Sequence, residues 1–440
     1  MAWFDSKTLF LSVSLFCLPL IVVCAILCLP LVIFTICALY VTAWLLYLLQ
    51  AQTDVDFNLP YSPARVLKIN IILLGHLFGW VTDMPMVISY LHWRYWKMGN
   101  ETFRKIVSRD ISYSDVSPEC KLDIYHPDGN QGNNMKKRPV IIFVYGGSWS
   151  SGQKLLYTSM ANTLRELGYV VVVPDYRKYP TVKVDSMYQD IRHTIQWTFH
   201  HANDIGVDVD MIYVMGHSAG AHLASQVVLS DLVEKAKHAS FIGKKRSESM
   251  NLDGDDNDDD DDDDDDDNDR MAMMDQKNDF LPQIEGLLLF AGVYDIETHY
   301  DHEAARGVER LSAMGRAMGM TNESYRKNSP LYLIKSHGDL FAHSEDLLDF
   351  APRILFLHGE KDATVPMEQS TKMYNMLGQV LPPPRRDEVD IRMRVYKKMK
   401  HAHCVTALMP RVFGEDRMRR PLIRDIVEFV DVPSLDEPDH

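Results

Sequence analysis

The 440-residue chain reads as an α/β protein, with a mostly parallel central sheet, helices on both faces and apolar helices ahead of it. Three observations predict this. Short β-branched runs alternate with amphipathic stretches after about residue 105, the pattern of strand–helix units. Two of those runs, Pro139–Tyr145 and Tyr169–Pro174, are apolar without interruption, as strands buried on both faces must be. Before them, Leu9–Leu49 carries no charged side chain.

As helix, that N-terminal stretch is about 60 Å long, roughly twice a hydrocarbon core. Two transmembrane helices are therefore expected, a hairpin over residues 1–53 broken near Leu29-Pro30. A cleaved signal peptide fits poorly, because its apolar region is only ~7–15 residues long. Residues 54–105 form a membrane-proximal segment with a third apolar stretch, Ile71–Tyr90, holding His76, Asp83 and Pro85. It is read as an interfacial or packed helix. Trp93, Tyr95 and Trp96, mixed with Arg94 and Lys97, resemble an interface belt. Only Lys7 precedes the hairpin, whereas Arg65, Lys68, Arg94, Lys97, Arg104 and Lys105 follow it. That bias places the following domain in the cytosol.

The remainder, residues 106–432, is expected to be one domain, with 433–440 as a tail. Lys121–Tyr125 suggests an antiparallel strand at the sheet's beginning. Leu156, Met160, Leu164 and Leu167 recur at helical spacing after Pro139–Tyr145, and Met187, Ile191, Ile195 and Phe199 form a second stripe. Further strands are expected at Met211–Met215, Gly286–Phe290, Arg353–Leu357 and Ile391–Tyr396. The net charge of −15 misleads, since fourteen aspartates crowd into 253–269 and the rest is nearly neutral. Within an insertion at 247–279, that run repels itself and lacks apolar residues, so it is expected to be disordered. It is no calcium loop: the sixth position from Asp253 is Asp258 instead of glycine, and no glutamate closes it. The near-neutral remainder, without a basic face, argues against nucleic-acid binding. Four of six cysteines (Cys17, Cys24, Cys28, Cys37) lie in the apolar stretch, so no disulfide framework is expected. No spacing predicts a metal site, and no cofactor is expected.

Gly216-His217-Ser218-Ala219-Gly220 follows one predicted strand and precedes a helix rich in small residues. In that setting G-x-S-x-G is a nucleophile elbow, the signature of the α/β-hydrolase fold, and Ser218 is the candidate nucleophile. A serine hydroxyl needs a base, and the base an acid to orient it, in the chain order Ser, acid, His. His358-Gly359-Glu360-Lys361-Asp362 follows the strand Arg353–Leu357 and puts Asp362 at the sheet's carboxyl edge. Glu360 and Asp295 are weaker candidates for the acid. The base is expected at His403, with His401 as its rival. His217 and His222 stand too near the nucleophile in sequence to reach it. Tyr145-Gly146-Gly147-Ser148-Trp149 ends another strand, where small residues let backbone N–H groups approach an oxyanion. Gly146, Gly147, Ser148 and Ala219 are the candidate oxyanion-hole residues, with Gly147, Ser148 and Ala219 expected as the donors. Tyr145 stands where esterases of this fold carry a bracing histidine.

These stretches together resemble isoprenylcysteine α-carbonyl methylesterase, a membrane-anchored α/β-hydrolase. The resemblance lies in Val144–Trp149 (V-x-G-G-x-W), Asp175–Arg177 (D-Y-R), His217–His222 (Q-S-A-G-A-H, with His for Gln), Asn328-Ser329-Pro330, His358–Pro366 and His401–Cys404. It runs from about Lys105 to Val430 and departs from the family around the base loop, in the Asp-rich insertion and at Pro382–Pro384. It implies a Ser-His-Asp carboxylesterase without cofactor, acting on a lipid-like ester such as a prenylated protein C-terminus. It also implies an endoplasmic reticulum or Golgi membrane with the catalytic domain facing the cytosol, and it favours His403. Two rivals stand beside it: another lipid or sterol acyl-ester hydrolase, and an inactive scaffold whose acidic loop recruits basic partners.

Overall fold

The structure is a computed structural model and describes residues 6–50, 59–128, 136–252, 280–411 and 414–430. The chain divides into two units: Met1–Thr82 with Glu303–Ser312, and Asp83–His302 with Ala313–His440. The boundary thus falls inside the expected membrane-proximal segment.

In the first unit, helix α1 runs unbroken from Ser6 to Gln50, through Pro30. The hairpin expected at Leu29-Pro30 is not formed. Pro30 removes one intrahelical hydrogen bond, at a cost of about 3 kcal/mol, and the chain continues as helix on both sides of it. The return helix is instead α2, Pro63–Leu91, which includes Ile71–Tyr90 and starts on a proline whose missing N–H costs nothing there. Ala43 and Tyr47 of α1 pack with Val66 and Ile69 of α2 in a small core. Asn70 donates to the Leu39 carbonyl (3.0 Å), and Trp44 Nε1 to that of Pro60 (3.1 Å). Residues 303–312 belong to this unit: Lys68 donates to the Ala305 carbonyl (2.8 Å), Arg65 pairs with Glu309, and Leu311 packs on the core. Within α1, Ile26–Leu49 is long and apolar enough to cross a membrane.

The second unit is built on an eight-stranded sheet in the order β1-β2-β4-β3-β5-β6-β7-β8. Its strands are β1 Val107–Ser112, β2 Lys121–Tyr125, β3 Arg138–Val144, β4 Val170–Pro174, β5 Val207–His217, β6 Gly286–Phe290, β7 Arg353–Gly359 and β8 Ile391–Tyr396. The first two are antiparallel, β2 meets β4 antiparallel, and the strands from β4 to β8 are parallel. The expected strands are all present; β1, with its alternation of Asp110 and Ile111, carried too weak an apolar signal to predict. Val140–Val144 and Val170–Val173 are fully buried, as continuous apolar runs require. Helix Val184–His200 buries Met187, Ile191 and Ile195, but Phe199 at its end is exposed. Trp93 joins the core of this unit and is no belt residue, whereas Tyr95 and Trp96 are exposed. Helix Ala219–Leu252 reaches into the expected insertion; residues 253–279 and the 433–440 tail lie outside the described residues.

Candidate active site

β5 ends at His217, and the chain turns so sharply that Ser218 takes φ 55° before helix Ala219–Leu252 begins. Only tight packing holds a serine in this left-handed region. A Cβ on Gly216 would stand 2.5 Å from the Ala221 Cα, and one on Gly220 would stand 2.0 Å from the Val144 carbonyl oxygen. The two glycines of the elbow are therefore steric requirements.

The candidate acid comes from the turn after β7. Asp362 is buried; its Oδ1 accepts the N–H groups of Thr364 and Val365, both at 2.9 Å. Oδ2 lies 2.7 Å from His401 Nδ1, and His401 Nε2 lies 2.9 Å from Ser218 Oγ. Burial alone raises the Asp362 carboxyl, but hydrogen bonds from His358 and His401, the His401 charge and the Val365 N–H hold it well below the usual range. His358, fully buried, braces this turn through Ser370 Oγ (2.7 Å) and the Val365 carbonyl (3.0 Å). The other acids are elsewhere: Glu360 is exposed, and Asp295 accepts from Thr298 N–H and faces Lys372.

His401, and not His403, therefore meets Ser218 and Asp362. The expectation of His403 is corrected by the turn after β8, which delivers His401 to the cleft and then enters helix His403–Thr406. His403 turns to Asp416 (2.8 Å), which also pairs with Arg411. The acid and base loops are tied by Glu360 N–H to the Tyr396 carbonyl and Lys361 N–H to that of Met399, both 3.1 Å. Gly359 permits this approach, since a Cβ there would stand 2.2 Å from the Met399 oxygen.

The glycine loop after β3 lies against the nucleophile: a Cβ on Gly146 would fall 2.8 Å from the Ser218 Cβ. Gly147, Ser148 and Trp149 all have positive φ, at 141°, 50° and 59°. The turn closes through Ser151 N–H to the Gly147 carbonyl (2.9 Å). Three features the sequence reading did not connect pin this loop. Tyr145 OH donates to Asp175 (2.6 Å), the aspartate of D-Y-R, and Tyr176 OH donates to the Tyr145 carbonyl (3.0 Å). Trp149 Nε1 donates to His222 Nδ1 (3.1 Å), and His222 Nε2 donates to the Asn328 carbonyl (2.7 Å). Burial lowers the His222 pKa to about 4, so it stays neutral and supports the loop without entering the chemistry. The signal was available: D-Y-R, the second elbow histidine and Asn328-Ser329-Pro330 were each visible, but only folding joins them. Among the described residues no group of three or more His, Cys, Asp or Glu is disposed to hold a metal.

Residues 122–377 match the BD-FAE family model. Isoprenylcysteine alpha-carbonyl methylesterase of Arabidopsis thaliana is 28% identical over 268 residues, 61% of this chain and 52% of that protein. The chain thus spans about half the length of that relative. A rice relative, described as a probable isoprenylcysteine alpha-carbonyl methylesterase, is 26% identical over 383 residues, 86% of this chain and 77% of its own length. Among solved structures, inhibited esterase B from Lactobacillus rhamnosis superposes with a TM-score of 0.53 at 17% identity, covering 82% of this chain and 96% of its own. That likeness shows a shared α/β-hydrolase fold. With a family model matched over more than half of its length, this chain belongs to the BD-FAE family.

Proposed function

We propose that this chain is a membrane-anchored serine carboxylesterase that demethylates isoprenylcysteine methyl esters. The observation that carries the reading is the continuous line from Asp362 through His401 to Ser218, at 2.7 and 2.9 Å. His401 takes the Ser218 proton as Oγ attacks the ester carbonyl. The oxyanion rests on the N–H groups of Gly147, Ser148 and Ala219, with Gly146 giving the room; each such donor contributes ~3–4 kcal/mol at the transition state. His401 then protonates the departing methanol, and water, deprotonated in turn by His401, releases the acid and restores Ser218. Asp362 fixes the imidazole so that Nε2 faces Ser218 throughout. The substrate class rests on the plant relatives, which are isoprenylcysteine alpha-carbonyl methylesterases, established in Arabidopsis and probable in rice.

The anchor reading rests on Ile26–Leu49, about 36 Å of helix whose side chains are mostly exposed, Phe34 at 72%. A prenyl chain already held in a bilayer is thereby delivered in two dimensions. An endoplasmic reticulum or Golgi membrane, with the catalytic unit in the cytosol, completes the proposal. Two sequons, Asn100-Glu101-Thr102 and Asn322-Glu323-Ser324, test the orientation. A cytosolic domain carries no glycan on either; a glycosidase-sensitive mobility shift lost in N100Q/N322Q overturns that orientation. The function itself is tested with the full chain in nanodiscs. Methanol release from a farnesylcysteine methyl ester peptide, with Ser218 labelled by a fluorophosphonate, is expected. Cleavage of longer acyl esters alone points to another lipid or sterol ester hydrolase, and no labelling at all to an inactive scaffold.

A further inference from the structure

The elbow holds a second buried imidazole that the reaction above does not use. His217 is 7% exposed, its ring centroid is 4.9 Å from that of His401, and its Nε2 lies 3.1 Å from the His401 carbonyl oxygen. A carbonyl only accepts, so Nε2 carries the proton and donates it. Nδ1 is then a bare lone pair, buried and without a hydrogen-bond partner. It sits against the oxyanion loop, 3.2 Å from where a Gly146 Cβ would stand.

We propose that His217 is a positioning residue that fixes the catalytic base, by donating Nε2–H to the His401 main chain and packing its ring on the His401 imidazole. The inference rests on the esterase reading and deepens it. His401 sits at the end of a loop, and its side chain must keep both 2.7 Å to Asp362 and 2.9 Å to Ser218. Those two contacts fix the ring, and the acid-loop ties hold the main chain at Tyr396 and Met399, short of His401 itself. His217 supplies the third constraint from the strand that carries the nucleophile, so nucleophile and base are referenced to one rigid element. A charged imidazole there would face the His401 imidazolium formed in each half-reaction. Burial, with the His401 charge adding to it, lowers the His217 pKa to about 3 and keeps the ring neutral.

Two isosteres separate the atoms. In His217→Gln the amide nitrogen occupies the place of Nε2, and in His217→Asn it occupies that of Nδ1. Steady-state hydrolysis of a p-nitrophenyl ester by the full chain gives kcat and KM for both, after circular dichroism matches their melting to wild type. H217Q is expected to keep kcat within about threefold, and H217N to lose about 10- to 100-fold in kcat with KM unchanged, the scale for a reacting group displaced by about 1 Å. H217N as active as wild type, or H217Q as impaired as H217N, overturns the assignment. So does a loss that appears in KM instead of kcat. If H217N fails to fold, H217Q against His217→Met decides it, because methionine fills the space without a donor; equal rates then overturn the proposal. An inactive wild-type chain would instead overturn the esterase reading on which the inference stands.

Discussion

The two units treat their apolar residues in opposite ways: one encloses them in its own core, and the other leaves most of them exposed along α1. In the α/β unit a strand such as β3 is enclosed by its own protein, with Val140–Val144 fully buried. In the helical unit most described side chains of α1 between Ile26 and Leu49 point outward. A buried parallel strand is short, continuous and bounded by turn residues, so its ends are written in the sequence. A helix that is apolar all round carries no internal mark of where it stops. Pro30 is no such mark, since α1 continues through it.

The largest expected effect sharpens the comparison at the catalytic end. Ser218→Ala and His401→Ala are each expected to lower kcat for ester hydrolysis by several orders of magnitude, leaving oxyanion and binding effects. His403→Ala should remain within about tenfold of wild type, because His403 holds Asp416 and does not touch Ser218. Single-turnover fluorophosphonate labelling checks all three. If the His403 variant is dead and the His401 variant active, the geometry of the base loop is wrong.

What was legible in this site depended on local rules. Ser218 and Asp362 follow strands β5 and β7 at fixed offsets, so a motif and a flanking strand single them out as candidates. The base follows β8 across Lys397–Lys400, and two histidines two residues apart differ only in how that turn rotates them. No periodicity reports such a rotation; here His401 ends the turn and His403 opens a helix, so they face different neighbours. The pairing of Asp175 with Tyr145, and of His222 with Trp149, spans 30 and 73 residues. Contacts of that range follow from the fold alone.

A second expectation concerns acid stability of the α/β unit. His222 is neutral in the folded chain, with its pKa lowered to about 4 by burial, while in the unfolded chain it titrates near 6.5. The unfolded state therefore binds the proton first, and stability falls as pH drops from about 6.5 toward 4. For His222 alone the loss is on the order of 3 kcal/mol by pH 4. His222→Gln should flatten that acid slope in melting temperature against pH; an unchanged slope would show that the imidazole is not neutral and buried.

The helical unit is expected to respond more weakly. Asn70 is buried and donates both to Leu39 across the helix pair and to Val66 within α2. Asn70→Ala should cost about 1 kcal/mol, the net worth of an ordinary buried hydrogen bond. Faster amide exchange over Pro63–Ile72, with esterase kcat unchanged, is the expected pattern. Loss of catalysis in step with that exchange would overturn this expectation.

The smallest effect is expected from deleting Leu252–Asp269. Like charges at this density oppose compaction, and residues 253–269 offer no apolar side chain to bury, so little stability is expected to depend on them. Closing a shorter connection changes chain entropy only logarithmically, a few tenths of a kcal/mol for moderate shortening. What must survive is the chain on either side. Helix Ala219–Leu252 buries Leu229, Leu232, Val233 and Ala236, and Leu281 N–H donates to the buried Asp231 at 2.9 Å, which also binds Arg192 and Lys235. Because the re-entry point is pinned to the helix that starts at the nucleophile, a cut that strains Leu281 would reach Ser218 through that helix. A deletion that keeps Met271–Phe280 as the connection avoids this strain. Its kcat and melting temperature should match wild type within about twofold and about 2 °C. A tenfold fall in kcat at unchanged melting temperature would instead show that the acidic tract acts on the active site.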